Sequence, residues 1–327
     1  MKKWSVYATR RILDPAIPMI AKECSIILNN KERPPTRREL LTGVRNRDAI
    51  LCTLSDKIDR SVMDVAGSML RVISSYSTGV DHIDTEEATK RGIYVTTTGD
   101  ILTETVADLA FALVLAISRQ VTQGYELVIH KRWKVGADPN LLLGSGVHGM
   151  TMGILGLGRI GSAMARRAKG FDMSVIYHTR HGRNIQLDKQ LDAKYVEMDK
   201  LIEESDFLSL HCPLNTGTYH LINESKLRRM KKNSFIINTA RGEIINETHL
   251  IKALKKKWIA GAGLDVFEKE PPSPNNPLLK MKNVVLLPHI ATFPTRTKMA
   301  EVAAQNLLNV LNGKSPIYLA NHEVTGQ

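Results

Sequence analysis

Four polar residues that stand just past short apolar runs could do chemistry together. "NTARGEI" at 238–244 places Arg241 after one run, "GLDVFEKEPP" at 263–272 places Asp265 and Glu270 after the next, and "VLLPHIATF" at 285–293 places His289 after the last. An arginine, a carboxylate and a histidine suit the reduction of a 2-oxo acid. The guanidinium holds the anion and polarises its carbonyl, the histidine supplies a proton, and the carboxylate keeps that histidine charged and oriented. Taken singly, each has a plainer explanation: Arg241 and Glu270 as surface ion-pair residues, His289 as a satisfied loop histidine. Only as a set do the residues point to this chemistry.

The elements that must position these residues alternate. In the first hundred residues "SVYATR", "CSIILNN", "DAILCTL", "RVISSYS" and "IYVTTTG" read as strands, with helix-like stretches such as "RRELLTGVRN" between them. Alternation of this kind implies βαβ units on a parallel sheet. A helix at about 103–119, apolar on most sides, follows and reads as buried. A second series begins at 151, with strands in "TMGILGLG", "MSVIYHT", "FLSLHCP", "SFIINTA", "AGAGLDV" and "NVVLLPHI". A proline-rich loop, "EPPSPNNP", separates the last two, and "TRTKMAEVAAQNLLNVLNG" reads as a final helix ending at a glycine. The expected fold is α/β, two doubly wound parallel-sheet domains. Ligands of such sheets bind beyond the carboxyl ends of the strands, where Arg241, Asp265, Glu270 and His289 stand.

The pattern "GLGRIG" puts Gly156, Gly158 and Gly161 between a strand-like run and a helical one. The first glycine permits a tight turn, the second lets backbone approach a pyrophosphate, and the third lets helix and strand pack closely. The helix N-terminus then offers free amides and a partial positive charge. An NAD site normally carries an acid about 20 residues further on. Here the stretch is "YHTRHGR", with Thr179 where the acid would stand and Arg180, His181 and Arg183 after it. Threonine does not repel a phosphate, and arginine's planar fork suits phosphate oxygens. The expected cofactor is NADP(H), with NAD(H) possible.

The chain has 327 residues and a net charge of +12, with 43% hydrophobic and 24% charged residues. At roughly 150 residues per domain, two domains are expected. The basic residues fall at Arg37–Arg38, Arg166–Arg167, Arg228–Lys232 and Lys255–Lys257, scattered along helical patterns, and no nucleic-acid-binding signature appears. Three dispersed cysteines, Cys24, Cys52 and Cys212, offer neither a disulfide framework nor a metal site and read as buried thiols. No signal peptide or membrane-length apolar run is present, so a cytoplasmic protein without nucleic-acid or membrane partners is expected.

Together "YSTGVDHID" (76–84), "GILGLGRIG" (153–161), "SDFLSLHCPLNTGTYHLIN" (205–223), "NTARGEIIN" (238–246), "GAGLDVFEKEP" (261–271) and "LPHI" (287–290) resemble the D-isomer-specific 2-hydroxyacid dehydrogenases, over nearly the whole chain. Within that family the chain looks most like the glyoxylate/hydroxypyruvate reductase branch, whose NADPH-preferring members carry an element similar to "HTRHGR". The resemblance implies a flavodoxin-like substrate domain of residues 1–100 plus 293–327, a Rossmann dinucleotide-binding domain of 101–292 with a cleft between the two, and a homodimer built on the long helix. It implies Arg241, Glu270 and His289 as the catalytic residues. It carries Leu54, Ser77, Thr78 and Gly79 to the substrate, the last three as a backbone cradle for its carboxylate. Thr239 and Asp265 match positions holding the nicotinamide carboxamide. Cys212 and Pro213 match a segment beside the cofactor, and Arg159, Ile160, Thr218 and Ala240 complete the cofactor set.

Many relatives continue "HIGSAT" after the histidine, whereas this chain reads "HIATFPTRT", a shorter segment with Pro294 near the start of the final helix. Side chains near Leu54, Trp133 and Phe293 are expected to shape the pocket. Alternative readings are a phosphonate (phosphite) dehydrogenase, a D-3-phosphoglycerate dehydrogenase, or, from another class, a dinucleotide-sensing corepressor-like protein.

Overall fold

The computed structural model describes residues 3–326 and separates into two compact units. One comprises the chain up to Leu102 and from Phe293 onward; the other runs from Thr103 to Thr292.

The first unit is built on β1 (Trp4–Ala8), β2 (Cys24–Leu28), β3 (Ala49–Cys52), β4 (Val72–Ser75) and β5 (Tyr94–Thr96). They form one parallel sheet in the order β2-β1-β3-β4-β5, the flavodoxin-like order. β3 and β4 are buried at every position, as strands covered on both faces must be. One face packs against helices Ala16–Glu23 and Arg296–Leu311, the latter through Ala300, Ala303, Ala304 and Leu307. Helices Arg37–Val44, Arg60–Ala66 and Thr85–Lys90 cover the other face. Local chemistry starts them as the sequence suggests. Thr36 and Glu39 form a reciprocal capping box, and Asp59 and Asp84 accept from backbone N–H groups of the first turn.

The second unit carries β6 (Thr151–Leu155), β7 (Ser174–His178), β8 (Ala193–Tyr195), β9 (Phe207–Leu210), β10 (Phe235–Asn238), β11 (Gly261–Leu264) and β12 (Val284–Leu286). The order is β12-β11-β10-β9-β6-β7-β8, all parallel, so chain direction across the sheet reverses between β6 and β9. This is the doubly wound dinucleotide-binding order, with its switch point at β6. Register levels the strand ends. Leu155 lies beside His178 and Leu210, Leu210 beside Asn238, Asn238 beside Leu264, and Leu264 beside Leu286. The residues that follow these strands therefore emerge in one row. The helix Thr103–Ser118 buries Ala110, Phe111, Leu113, Val114 and Ile117 against one face of the sheet.

Three details depart from the sequence reading. A second helix, Val121–Ile129, follows the long one and buries none of its residues. The edge strand β8 was not expected. Cys24 and Cys52 are buried as expected, but Cys212 is only half-buried. Among the described residues no single helix is long and apolar enough to cross a membrane, and no cluster of His, Cys, Asp and Glu is arranged to hold a metal ion. Arg37, Arg166, Arg167, Arg228, Arg229 and Lys231 each pair with an acid, which accounts for much of the scattered basic charge as solvated ion pairs.

Candidate active site

The glycine turn leaves β6 into the helix Arg159–Lys169. Gly156 sits at φ +96°, a left-handed conformation costly for any side chain, and a Cβ there would lie 2.8 Å from the Cys212 nitrogen. At Gly161 a Cβ would come within 2.1 Å of the Gly156 carbonyl, so only glycine lets the helix start this close to the strand. Gly158, the residue that caps the helix, is different: a Cβ there meets nothing within 4 Å. That open side, next to unpaired first-turn amides, is the approach a phosphate needs. Arg159 is exposed and Ile160 half-buried in the first turn.

Thr179 follows β7 and closes a tight turn. Its hydroxyl donates to the Gly182 carbonyl at 2.9 Å, and Gly182 N–H returns to the Thr179 carbonyl at 3.1 Å. Arg180 and His181 are exposed on that turn. Arg183 is not simply free beside them: its Nε donates to Asp188 at 2.5 Å, and Asp188 also accepts from the buried Tyr177 hydroxyl. The sequence reading missed Asp188.

Past β9, the His211–Cys212 backbone abuts Gly156. Burial pushes the Cys212 thiol up to about 11, so it stays a thiol, and holds His211 down to about 4, so it stays neutral near pH 7. Thr218 folds the next loop by donating to the Pro213 carbonyl at 2.7 Å and accepting from Asn215 N–H at 2.8 Å.

Past β10, Asn238 staples the turn that carries Arg241: its amide donates to the Arg241 carbonyl at 2.8 Å and accepts from Ala240 N–H at 3.0 Å. Arg241 Nη1 donates to the Ala240 carbonyl. A Cβ on Gly242 would sit 1.9 Å from the Phe267 carbonyl carbon, so this turn is pressed against the segment leading to Glu270. Thr239 buries its hydroxyl with no hydrogen-bond partner among the described residues. An orphaned buried hydroxyl costs free energy unless a ligand satisfies it.

Past β11 and β12, Glu270 Oε2 lies 2.7 Å from His289 Nδ1, while Glu270 Oε1 accepts from Phe267 N–H at 3.1 Å. A carboxylate only accepts, so Nδ1 carries its hydrogen. His289 adopts φ +54°, unusual for a non-glycine residue. Asp265, fully buried, holds that conformation. Its backbone carbonyl accepts from His289 N–H, and its two carboxylate oxygens accept from Ile290 N–H at 2.8 Å and Ala291 N–H at 3.0 Å. Burial raises the Asp265 carboxyl above the ordinary carboxylate value, and the two amides pull it part of the way back. The residue expected at the cofactor's carboxamide is thus tied first to the histidine loop.

The structure therefore gathers Arg241, Glu270, His289, Thr239, Ala240, Asp265, Cys212, Pro213, Thr179 and the glycine turn along one row of strand ends. The described residues from 103 to 292 match the model of the D-isomer specific 2-hydroxyacid dehydrogenase NAD binding domain over 111–291. The chain belongs to the D-isomer specific 2-hydroxyacid dehydrogenase family. Its relatives include a glyoxylate reductase of Thermofilum pendens, 47% identical over 99% of this chain and 96% of that protein. Another, from Korarchaeum cryptofilum, is 47% identical over 98% of this chain and 96% of that protein. Among solved structures, a protein from Thermus thermophilus matches with a TM-score of 0.89 at 39% identity, covering 97% of this chain and 99% of that one. A Sinorhizobium meliloti NADPH-dependent glyoxylate/hydroxypyruvate reductase, solved with NADP and malonate, matches with a TM-score of 0.86 at 31% identity, covering 99% and 98%. As a member of this dehydrogenase family the protein uses a nicotinamide dinucleotide. The open side of Gly158 and the orphaned Thr239 hydroxyl fit one.

In the first unit, Ser77, Thr78 and Gly79 follow β4. Among the described residues their backbone N–H groups donate to no protein acceptor. Leu54 lies past β3, partly exposed. The segment after His289 forms a short 3-10 turn, Phe293–Thr295, before the final helix. Phe293 is exposed there with the Arg296 guanidinium over its ring, and Trp133 is exposed in the other unit.

Proposed function

We propose that this enzyme is an NADPH-preferring reductase of glyoxylate and hydroxypyruvate. The observation that carries the reaction is the His289–Glu270 hydrogen bond at a row of dinucleotide-unit strand ends. The observation that carries the cofactor preference is a threonine, followed by exposed Arg180 and His181, at the position where an NAD site carries an acid. The names of the relatives supply the substrate.

A nicotinamide held at these residues would supply the hydride that the keto carbon receives. His289 Nε2 gives a proton to the carbonyl oxygen as that oxygen gains charge. Glu270 fixes the ring so that Nε2 is the donor. Arg241 and the 77–79 amides hold the substrate carboxylate, the guanidinium also polarising the carbonyl. Thr239 spends its unpartnered hydroxyl on the cofactor's carboxamide. Arg180 and His181, with the outer nitrogens of Arg183, receive the 2′-phosphate.

The working form is a homodimer whose second copy covers the helix Val121–Ile129. Among the described residues that helix has no fully buried side chain, and it leaves Val121, Tyr125 and Val128 more than half exposed, at 56%, 63% and 58%. Apolar faces of this kind on a folded chain mark interaction surfaces.

A panel of 2-oxo acids plus phosphite, each assayed with NADPH and with NADH, tests this reading. Glyoxylate or hydroxypyruvate with NADPH is expected to give the highest kcat/KM. Turnover of phosphite instead would place the enzyme with phosphonate dehydrogenases. No turnover of any of them would favour a dinucleotide-sensing binding protein.

A further inference from the structure

The turn at Ser77–Gly79 is tied down by a chain of side-chain hydrogen bonds whose direction can be worked out proton by proton. Ser77 Oγ lies 2.6 Å from the Gly79 carbonyl, which can only accept, so Ser77 spends its one proton there. Ser75 Oγ lies 2.8 Å from Ser77 Oγ, and this bond must therefore use the Ser75 proton. Ser75 Oγ also lies 3.1 Å from His82 Nε2, and with its proton already committed the serine can only accept, so His82 donates. The chain runs His82 Nε2–H to Ser75 to Ser77 to the Gly79 carbonyl, and both serines are buried. Cys52 lies within hydrogen-bond reach of Ser75, and burial keeps it a protonated thiol, whose sulfur is a weaker acceptor than the Ser77 hydroxyl and whose S–H can itself donate to Ser75. His82 is itself fixed, because its carbonyl accepts from Ile58 N–H at 2.9 Å in a bridge between two loops.

The other side of the turn follows the same logic. Thr78 Oγ1 donates to the Gly99 carbonyl at 2.8 Å, so the 3.2 Å contact with Thr98 Oγ1 uses the Thr98 proton. Thr98 N–H holds the Ser77 carbonyl at 3.0 Å. The turn is thus fastened at the Gly79 carbonyl by Ser77, at the Ser77 carbonyl by Thr98 N–H and through the Thr78 side chain, and among the described residues its N–H groups donate to no protein acceptor.

We propose that His82 is a positioning residue for substrate recognition: acting through Ser75 and Ser77, it holds the 77–79 backbone in the shape that presents N–H groups to the substrate's carboxylate. This rests on the reading that the 77–79 amides bind that carboxylate. His82 does not touch the reacting atoms. It sets how strongly the anion is held, so its loss acts on KM rather than on proton transfer.

The test compares glyoxylate with its neutral amide as substrates, both with NADPH. Wild type is expected to prefer the acid. Ser75→Ala and His82→Ala should raise KM for glyoxylate about tenfold, with kcat within about threefold and the amide's kcat/KM within about twofold, the pattern of lost substrate binding. His82→Gln keeps an N–H donor and should bring KM back to within about threefold of wild type. A Kd for NADPH within about twofold of wild type shows that the variants are folded. A wild type that discriminates acid from amide, with Ser75→Ala and His82→Ala discriminating as well, overturns the role of the chain and leaves the carboxylate reading standing. A wild type that does not discriminate overturns both.

Discussion

Gly158 and Gly161 share one turn, yet the structure assigns their substitutions opposite outcomes. At Gly161 an alanine Cβ would lie 2.1 Å from the Gly156 carbonyl oxygen and 3.2 Å from Ile154 Cγ2. The first neighbour is backbone and cannot rotate away, so the helix Arg159–Lys169 must retreat from β6 by about 1 Å. Overpacking of this kind costs about 1–3 kcal/mol. For a unit of this size that lowers Tm by roughly 3–10 °C. At Gly158 the new Cβ meets no protein atom within 4 Å, and φ is −80°, which alanine adopts freely. Losing a glycine cap costs a few tenths to about 1 kcal/mol, and the reduced freedom of the unfolded chain returns about 0.4–1 kcal/mol. Stability should therefore hardly change. The methyl group instead occupies the space through which a pyrophosphate approaches the helix N-terminus. Losing one such charge-assisted bond costs about 1.5–3 kcal/mol, a roughly 10- to 100-fold rise in Kd for NADPH. Thermal scans with and without saturating NADPH read both effects, since a bound ligand raises Tm according to its affinity. Gly161→Ala should start lower. Gly158→Ala should start at the wild-type Tm and show little upshift with cofactor. A Gly158→Ala enzyme with wild-type Kd, or equal Tm losses in the two variants, would refute the account of the turn.

Three further outcomes follow from the geometry. Thr179→Asp places a carboxylate beside the proposed 2′-phosphate; two charges about 5 Å apart at an effective dielectric constant of about 20 repel by about 3 kcal/mol, less the screening of an open site. KM for NADPH should rise about tenfold or more while NADH use improves, and a wild type already preferring NADH sinks the phosphate pocket. Asp265→Asn turns one buried acceptor into a donor facing an amide, so kcat should fall about tenfold as the His289 loop loosens. Burial holds the Asp265 carboxyl above its ordinary value of about 3.9, so the folded chain binds that proton more tightly. Its stabilising contribution is full below that pH and lost as pH rises through the raised value; the Tm advantage of wild type over Asp265→Asn should shrink from pH 4 to pH 7. Tyr125→Lys combined with Val128→Asp should yield monomers in sedimentation velocity where wild type sediments as a dimer, and an unchanged sedimentation coefficient would remove that helix from the interface.

The fold and the family were legible because the inner strands of both sheets are short, mostly apolar runs. β3, β4, β9, β10 and β11 are buried at every position, and such strands announce themselves. β8 was not legible: three residues at a sheet edge, "AKY", hold a lysine and pair on one side only. The helix Val121–Ile129 was not read either: it is nine residues long with Gly124 inside it, although Val121, Tyr125 and Val128 recur at helical spacing. Which residues stand at strand ends could be read from the sequence, because the glycine pattern and the run boundaries mark the turns. What holds them could not. Asp265 grips amides 25 and 26 residues away, and Asn238 and His82 act across turns whose shape depends on the folded chain. The Arg183–Asp188 pair likewise depends on where the helix Ile185–Leu191 comes to rest.

The central claim is that His289, oriented by Glu270, delivers the proton in reduction of a small 2-oxo acid. Its most direct measurement is the turnover of glyoxylate with NADPH by wild type and by His289→Ala, alongside the Kd of each for NADPH. The account predicts a kcat lower by about 10²- to 10⁴-fold in the variant, with Kd within about threefold of wild type. A variant that turns over glyoxylate at the wild-type rate would contradict it.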